Sequence, residues 1–204
     1  MLKLEKKVPL RRESAMTVMD AIYGRRSVRA YAPQPLERTV IRDLIGAAIQ
    51  APTAVHEEPW AFAVIEDRET LRRLSDTAKE LLHEVEHGIH LPGAGSRRFK
   101  LPENVFYDAG TLIVIYGKPL GPFVVADCWL AAENLMLAAR AMGLGSCVIG
   151  LAVAALNMPE WKAELKVPSE MTAYAPIIVG VPKEEPPPTG RQDPQILIWK
   201  TGLV

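Results

Sequence analysis

The chain reads as an α/β-type fold, and three observations predict it. Short apolar runs at Trp60–Ile65, Thr111–Tyr116 and Met171–Val181 have the length and β-branched content of buried strands. Stretches with helical spacing of apolar residues lie between them. The third observation is residues 127–145, DCWLAAENLMLAARAMGLG, which are apolar or small around nearly the whole helical circumference. Such a helix belongs in a core or at a subunit contact. A chain of 204 residues rarely surrounds it with one small layer of its own, so a dimer sharing it is expected. Asp127, Glu133, Asn134 and Arg140 make it a poor bilayer span.

Each element follows in order. Residues 1–15 are basic and mixed and read as a solvated arm, with an anion-binding tail as the alternative. Thr17 is placed to cap a short helix, Val18 to Tyr23. Gly24-Arg25-Arg26-Ser27-Val28-Arg29 then sets three arginines and a hydroxyl within five residues. Arginine forks and a serine hydroxyl match phosphate oxygens, although a solvated basic turn has the same composition. Glu37 to Gln50 reads as an amphipathic helix that breaks at Pro52. The loop Ala51 to Trp60, with two prolines, leads into the first strand and is a usual place for ligand contacts.

Arg68 to His87 reads as a charged helix ending in His83-Glu84-Val85-Glu86-His87, a literal H-E-x-x-H. On a helix His83 and His87 share a face and suit zinc, with Glu84 as base and His90 as a third ligand. The helix is rich in Lys, Arg and Glu and Gly88 follows directly, so a solvated face is the preferred reading and no metal site is assigned. Residues 88–104, rich in Gly, Pro and Arg, read as a mobile loop or lid. Its Arg97, Arg98 and Lys100 read as loop charges, with attraction of an anionic substrate as the alternative. After the central helix, for which Gly143 and Gly145 are both C-cap candidates, Ser146 to Gly150 is short and β-like. Ala152 to Leu165 holds a helix broken at Pro159, and the third strand runs through Pro176. The long helical connections between strands permit parallel pairing without requiring it. Residues 182–195 are proline-rich and read as an extended arm that ends in the apolar tetrad Ile196-Leu197-Ile198-Trp199. Such an arm reaches its own sheet or a partner's.

Composition bounds the function. The formal net charge is zero, which argues against a dedicated nucleic-acid binder. Cys128 and Cys147 lie in apolar context without a disulfide framework, and there is no signal-type or membrane-spanning run, so a cytoplasmic protein is expected.

Four motifs in order resemble one family. They are Arg25-Arg26-Ser27-Val28-Arg29, Ala51-Pro52-Thr53-Ala54 ahead of Pro59-Trp60, Ala132-Glu133-Asn134-Leu135-Met136-Leu137-Ala138-Ala139, and Gly143-Leu144-Gly145-Ser146-Cys147, with Arg191 beyond them. Over residues 16–200 the chain resembles the nitroreductase family of FMN-dependent oxidoreductases. The resemblance implies an α+β fold: a mixed β-sheet flanked by helices, in an intertwined homodimer with exchange of the C-terminal arm. It divides the chain into an N-terminal arm at 1–15, an FMN-binding domain at 16–181 and an arm at 182–204 that completes the site and the dimer. It implies that Arg25 and Ser27, with Arg191 and the neighbouring Arg26, hold the FMN phosphate. Arg29 would approach the pyrimidine side of the ring. Pro52, Thr53, Ala54 and His56 would come from the opposite subunit, and Ile149, Gly150 and Leu151 would lie by the flavin.

The sequence departs from the family pattern in two places. Thr53, His56 and Glu58 stand where Ser, Asn and Gln are usual, and Thr189 stands where a basic residue is common. The first change puts acid groups and a histidine near the site. The second leaves phosphate affinity lower, or compensated by Arg26. The function implied is transfer of electrons from NADH or NADPH through FMN to a nitroaromatic, quinone or similar acceptor in a ping-pong cycle. The alternatives are a flavin carrier or sensor without such turnover, and a zinc hydrolase built on His83, Glu84 and His87. Partners are expected to be a second copy and a small-molecule acceptor, with no nucleic acid and no membrane.

Overall fold

The computed structural model describes residues 16–86 and 101–201. Helix α1 is Val18–Gly24, and its start is a capping box: Thr17 Oγ1 accepts the Asp20 N–H at 3.1 Å while Asp20 accepts the Thr17 N–H at 3.1 Å. Helix α2 is Arg38–Ala48, β1 is Trp60–Ile65 and α3 is Arg68–Glu86. Strand β2 is Thr111–Gly117, helix α4 is Val124–Ala141 and β3 is Gly145–Val148. Two short helices, α5 (Val153–Leu156) and α6 (Pro159–Glu164), precede β4 (Thr172–Gly180). Pro159 opens α6 at its first turn, where its missing N–H costs nothing.

The sheet order is β1-β2-β4-β3, and all three pairings are antiparallel. The long β1–β2 connection therefore makes no parallel crossover. Leu112 pairs with Ile65, so the chain re-enters the sheet at the end it left. The return is anchored on α3: Ser75 Oγ accepts the Val105 N–H at 3.0 Å, and Lys79 Nζ donates to the Glu103 carbonyl at 2.7 Å. Among the described residues the parallel component of the expected mixed sheet is one bridge, Ser27 to Ser146.

Helices cover both faces. Leu112, Val114 and Tyr116 of β2 enter one core with Leu71, Leu74, Leu156 and Trp161, while Ile113 and Ile115 enter the other with Leu44, Cys128, Ala132 and Leu135. That alternation follows from the two-residue period of a strand. Strand β4 carries a bulge at Tyr174: Ile115 pairs with Ala175 and Tyr116 with Ala173. The extra residue explains why Ala173 and Ala175 face opposite cores. Pro176 is tolerated mid-strand because its carbonyl, and hence its missing N–H, faces the β3 side beyond the last β3 pair. There the carbonyl takes the Ile149 N–H at 2.8 Å.

Helix α4 begins three residues before the expected Asp127 and ends in a Schellman motif. The Gly143 N–H reaches the Arg140 carbonyl at 3.0 Å and the Leu144 N–H reaches Ala139 at 2.8 Å, with Gly143 at φ 75°. Gly145 is not a cap; it opens β3. The inner face of α4 is buried, whereas Phe123, Val125, Trp129 and Leu130 at its start are exposed. Exposed Val18, Met19, Ile22 and Tyr23 on α1 add to this apolar surface.

Candidate flavin site

The donor segment follows directly from α1. The Arg25 N–H closes the helix on the Ala21 carbonyl at 2.8 Å, and the chain then runs extended beside β3. The Val28 N–H donates to the Ser146 carbonyl at 3.0 Å, and farther on the Ala32 N–H donates to Val181 at 2.9 Å. Val28 is buried while Ser27 and Arg29 are exposed, as extended alternation requires. Arg25 is half-buried, and its Nε lies 3.5 Å from Glu133 Oε1 of α4.

Arg26 is turned differently from its neighbours. Its Nη1 donates to the Tyr23 and Arg25 carbonyls at 2.7 Å each, and its Nε is buried without a partner among the described residues. It lines a depression with Gly24, Arg25, Arg140, Ser146 and Glu185. Arg140 Nη1 there meets Glu185 Oε1 at 2.6 Å, fastening the root of the C-terminal arm to the end of α4.

Arg25, Ser27 and Arg29 lie on one short segment beside β3, which carries the buried Cys147. Burial pushes the Cys147 thiol up from its ordinary value, and Arg29, Ser27 and Arg25, all close by, oppose that shift without overcoming it. Tyr31 is raised by burial and by Cys147, against Arg29, and its hydroxyl donates to the Val28 carbonyl at 2.8 Å. Cys128 is pushed up to about 12, first by burial and then by Asp127. Both thiols are therefore neutral near pH 7, and neither is an activated nucleophile.

Ile149 is buried, Leu151 half-buried and Gly150 exposed at the first position of a 3-10 turn, Gly150–Ala152. The Gly150 N–H has no acceptor within that turn. A Cβ at Gly150 would meet nothing within 4 Å, so the backbone there is open to a ligand.

The loop holding Pro52, Thr53, Ala54 and His56 packs onto the start of α4. Asp127, only 5% exposed, accepts the Ala54 N–H through Oδ1 at 3.2 Å. Thr53 Oγ1 accepts the Glu58 N–H at 3.3 Å. Val55, His56 and Glu58 all take positive φ, at 45°, 61° and 47°, which is costly for residues with a Cβ. His56 Nε2 lies 3.6 Å from Glu58 Oε1, with both side chains exposed. Sequence reasoning missed the role of Asp127, reading it only as a charge against a membrane span. A carboxylate in the first turn of an otherwise apolar helix was the available signal.

Arg191 stands apart. Its Nη1 donates to Thr189 Oγ1 at 3.3 Å in an exposed arm, and it does not line the depression at Arg25 and Arg26. His83 and Glu84 fall in the last turns of α3, while His87, His90 and most of the lid lie outside the described residues. Among the described residues no three His, Cys, Asp or Glu side chains cluster to hold a metal. No helix among them is long and apolar enough to cross a membrane.

A model of the nitroreductase family matches residues 22–180, a span that takes in the donor segment, the Pro52 loop and the Gly150 turn. The chain belongs to the nitroreductase family. Among its relatives is an Archaeoglobus fulgidus protein whose name pairs NADH dehydrogenase with NAD(P)H nitroreductase. It is 30% identical over 168 residues, covering 80% of this chain and 84% of its own. The iodotyrosine deiodinase of Thermotoga neapolitana is 25% identical over 180 residues, covering 85% and 93%. Among solved structures, an FMN-dependent nitroreductase of Clostridium difficile R20291 is 26% identical with a TM-score of 0.63, covering 84% and 91%. The family therefore spans more than one reaction while keeping one fold.

Proposed function

We propose that this nitroreductase-family chain binds FMN and passes electrons from NADH or NADPH to an electron-poor acceptor, such as a nitroaromatic or quinone, by a ping-pong mechanism. The observation that carries the reading is the convergence of Arg25, Ser27 and Arg29 on one short segment pinned to β3. Family membership and the FMN-dependent relative in Clostridium difficile support it.

The residues present fit the cofactor. Ser27 and Arg29 are exposed donors, and Arg25 has among the described residues only a 3.5 Å ion pair with a half-exposed Glu133. Gly150 leaves open space beside an N–H that finds no backbone acceptor among the described residues. Arg25 and Ser27 would hold the phosphate, and Arg191 would join them from the exchanged arm. Arg29 would lie toward the pyrimidine side, where a fixed positive charge would favour acceptance of electrons. The backbone at Ile149, Gly150 and Leu151 borders the ring. When bound, FMN supplies the two-electron chemistry that no side chain here provides.

The working unit in this reading is a homodimer with exchanged arms. Ile196, Leu197, Ile198 and Trp199 are 60–86% exposed, an apolar tetrad with no covering layer among the described residues. The exposed residues of α1 and the start of α4 give a second copy its complementary surface. Pro52, Thr53, Ala54 and His56 then reach the flavin across that interface.

The test is a visible spectrum of the purified protein before and after anaerobic addition of NADH or NADPH. A flavin band that bleaches supports the oxidoreductase reading. A band that persists favours the carrier or sensor, and a protein that takes up no FMN overturns the site.

A further inference from the structure

We infer that Tyr107 is a positioning residue for the flavin reaction, its ring holding the Arg29 guanidinium in place. The inference rests on the reading of Arg29 as the flavin-facing cation. The Arg29 Cζ lies 5.9 Å from the Tyr107 ring centroid, within cation–π range. Arg29 is otherwise exposed, and among the described residues it has no hydrogen bond or ion pair. A long exposed side chain without such a contact samples many rotamers and would present its charge diffusely.

Tyr107 is itself held by a turn that is anchored several times over. Val105 and Phe106 are fully buried, and the Val105 N–H is taken by the buried Ser75 hydroxyl at 3.0 Å. Asn104 Oδ1 accepts the Phe106 N–H at 2.9 Å, and the Asn104 carbonyl accepts the Tyr107 N–H at 3.0 Å. Asn104 Nδ2 closes onto Asp108 Oδ1 at 2.8 Å. Tyr107 and Asp108 both sit in the left-handed region, at φ 52° and 55°. Non-glycine residues persist there only where the surroundings over-determine them. The ring is thus a fixed platform. Arg29 approaches it from a segment that is fixed too, through Val28 on Ser146 and Ala32 on Val181.

The consequence is electrostatic. A cation held beside a bound flavin would stabilise the reduced, more negative ring more than the oxidised one. Tyr107 therefore acts through Arg29 on the flavin potential. The test uses the full chain loaded with FMN and measures the midpoint potential and the dissociation constant of oxidised FMN. Tyr107→Leu is expected to make the potential more negative, with reduced FMN losing about two- to fivefold in affinity relative to oxidised FMN, the factor a cation–π contact of ordinary strength supplies. Tyr107→Phe, which keeps the ring, stays at wild type. In an Arg29→Gln background Tyr107→Leu adds nothing.

A wild-type potential in Tyr107→Leu alongside a shifted one in Arg29→Gln overturns the inference and leaves the reading of Arg29 intact. So does an equal shift in Tyr107→Phe and Tyr107→Leu, or a Tyr107→Leu shift that survives in the Arg29→Gln background. An unshifted Arg29→Gln overturns both. If Tyr107→Leu fails to fold, Tyr107→Gln takes its place, with the same results required.

Discussion

Val28 stands where a side chain at residue 145 would go: a Cβ on Gly145 would lie 2.8 Å from the Val28 Cβ and from both of its methyls. The donor segment can lie against β3 only because residue 145 is glycine. Gly145→Ala is expected to cost about 1–3 kcal/mol, the usual range for overpacking a fitted site. It should also weaken FMN binding, since the strain falls on the segment that carries Ser27 and Arg29. Gly46 is the control. It lies inside α2 with nothing within 4 Å of its virtual Cβ, so Gly46→Ala should stabilise by about 0.5–1 kcal/mol. Urea unfolding of both variants gives the comparison.

Asp127 ties the Pro52–His56 loop to α4 through one buried hydrogen bond. Asp127→Ala leaves the Ala54 N–H without its acceptor and should cost about 1–3 kcal/mol. Asp127→Asn keeps an acceptor oxygen and should recover part of that loss. Thermal unfolding of the pair measures it, and equal losses would show that charge, not the acceptor, holds the loop.

Two adjacent arginines should behave differently. If Arg25 holds the FMN phosphate as proposed, Arg25→Ala removes a charge-assisted contact and should raise the FMN dissociation constant about 10- to 100-fold, equivalent to about 1.5–3 kcal/mol. Arg26→Ala should change it far less, because the Arg26 guanidinium is committed to the Tyr23 and Arg25 carbonyls. Fluorescence titration of FMN into the apoproteins decides it; equal effects would place both side chains on the phosphate.

Alkaline pH should destabilise the fold. Burial raises Cys128 from 9.0 to about 12 and Tyr116 from 10.0 to about 12. In the unfolded chain these groups lose their protons first, so folding retains protons and stability falls as pH rises above about 9. Each such group contributes a slope of up to about 1.4 kcal/mol per pH unit, ending near its folded value. Cys128→Ala should flatten the profile between pH 9 and pH 11 in urea unfolding.

In the proposed homodimer, removal of residues 195–204 should abolish arm exchange. Loss of Ile196, Leu197, Ile198 and Trp199 takes away exposed apolar surface that the single chain does not cover. Sedimentation should show a weakened dimer, and FMN retention should fall with it. An unchanged dimer would leave α1 and α4 as the whole interface.

Much of the fold is legible in the chain. Apolar runs placed β1, β2 and β4, the short β-like stretch at residues 146–150 fell within two residues of β3, and Thr17, Pro52 and Pro159 marked helix boundaries, because these signals are local and act within a few residues. The ordered motifs likewise assigned the family. Strand direction was not legible: helical connections allow either sense, and the anchoring of Val105 on Ser75 returned the chain antiparallel. The two glycines of Gly143-Leu144-Gly145 looked alike as caps. Gly143 serves its own helix, while Gly145 serves Val28, more than a hundred residues away. The different orientation of Arg26 and the pairing of Arg29 with Tyr107 were equally hidden.

The sequence by itself determined which segments form helices and strands, where donors gather and which family the chain resembles. Only the tertiary structure decided which donors stay exposed and which are tied to backbone carbonyls or carboxylates. Those outcomes depend on contacts between residues distant in sequence, and composition and spacing carry no record of them.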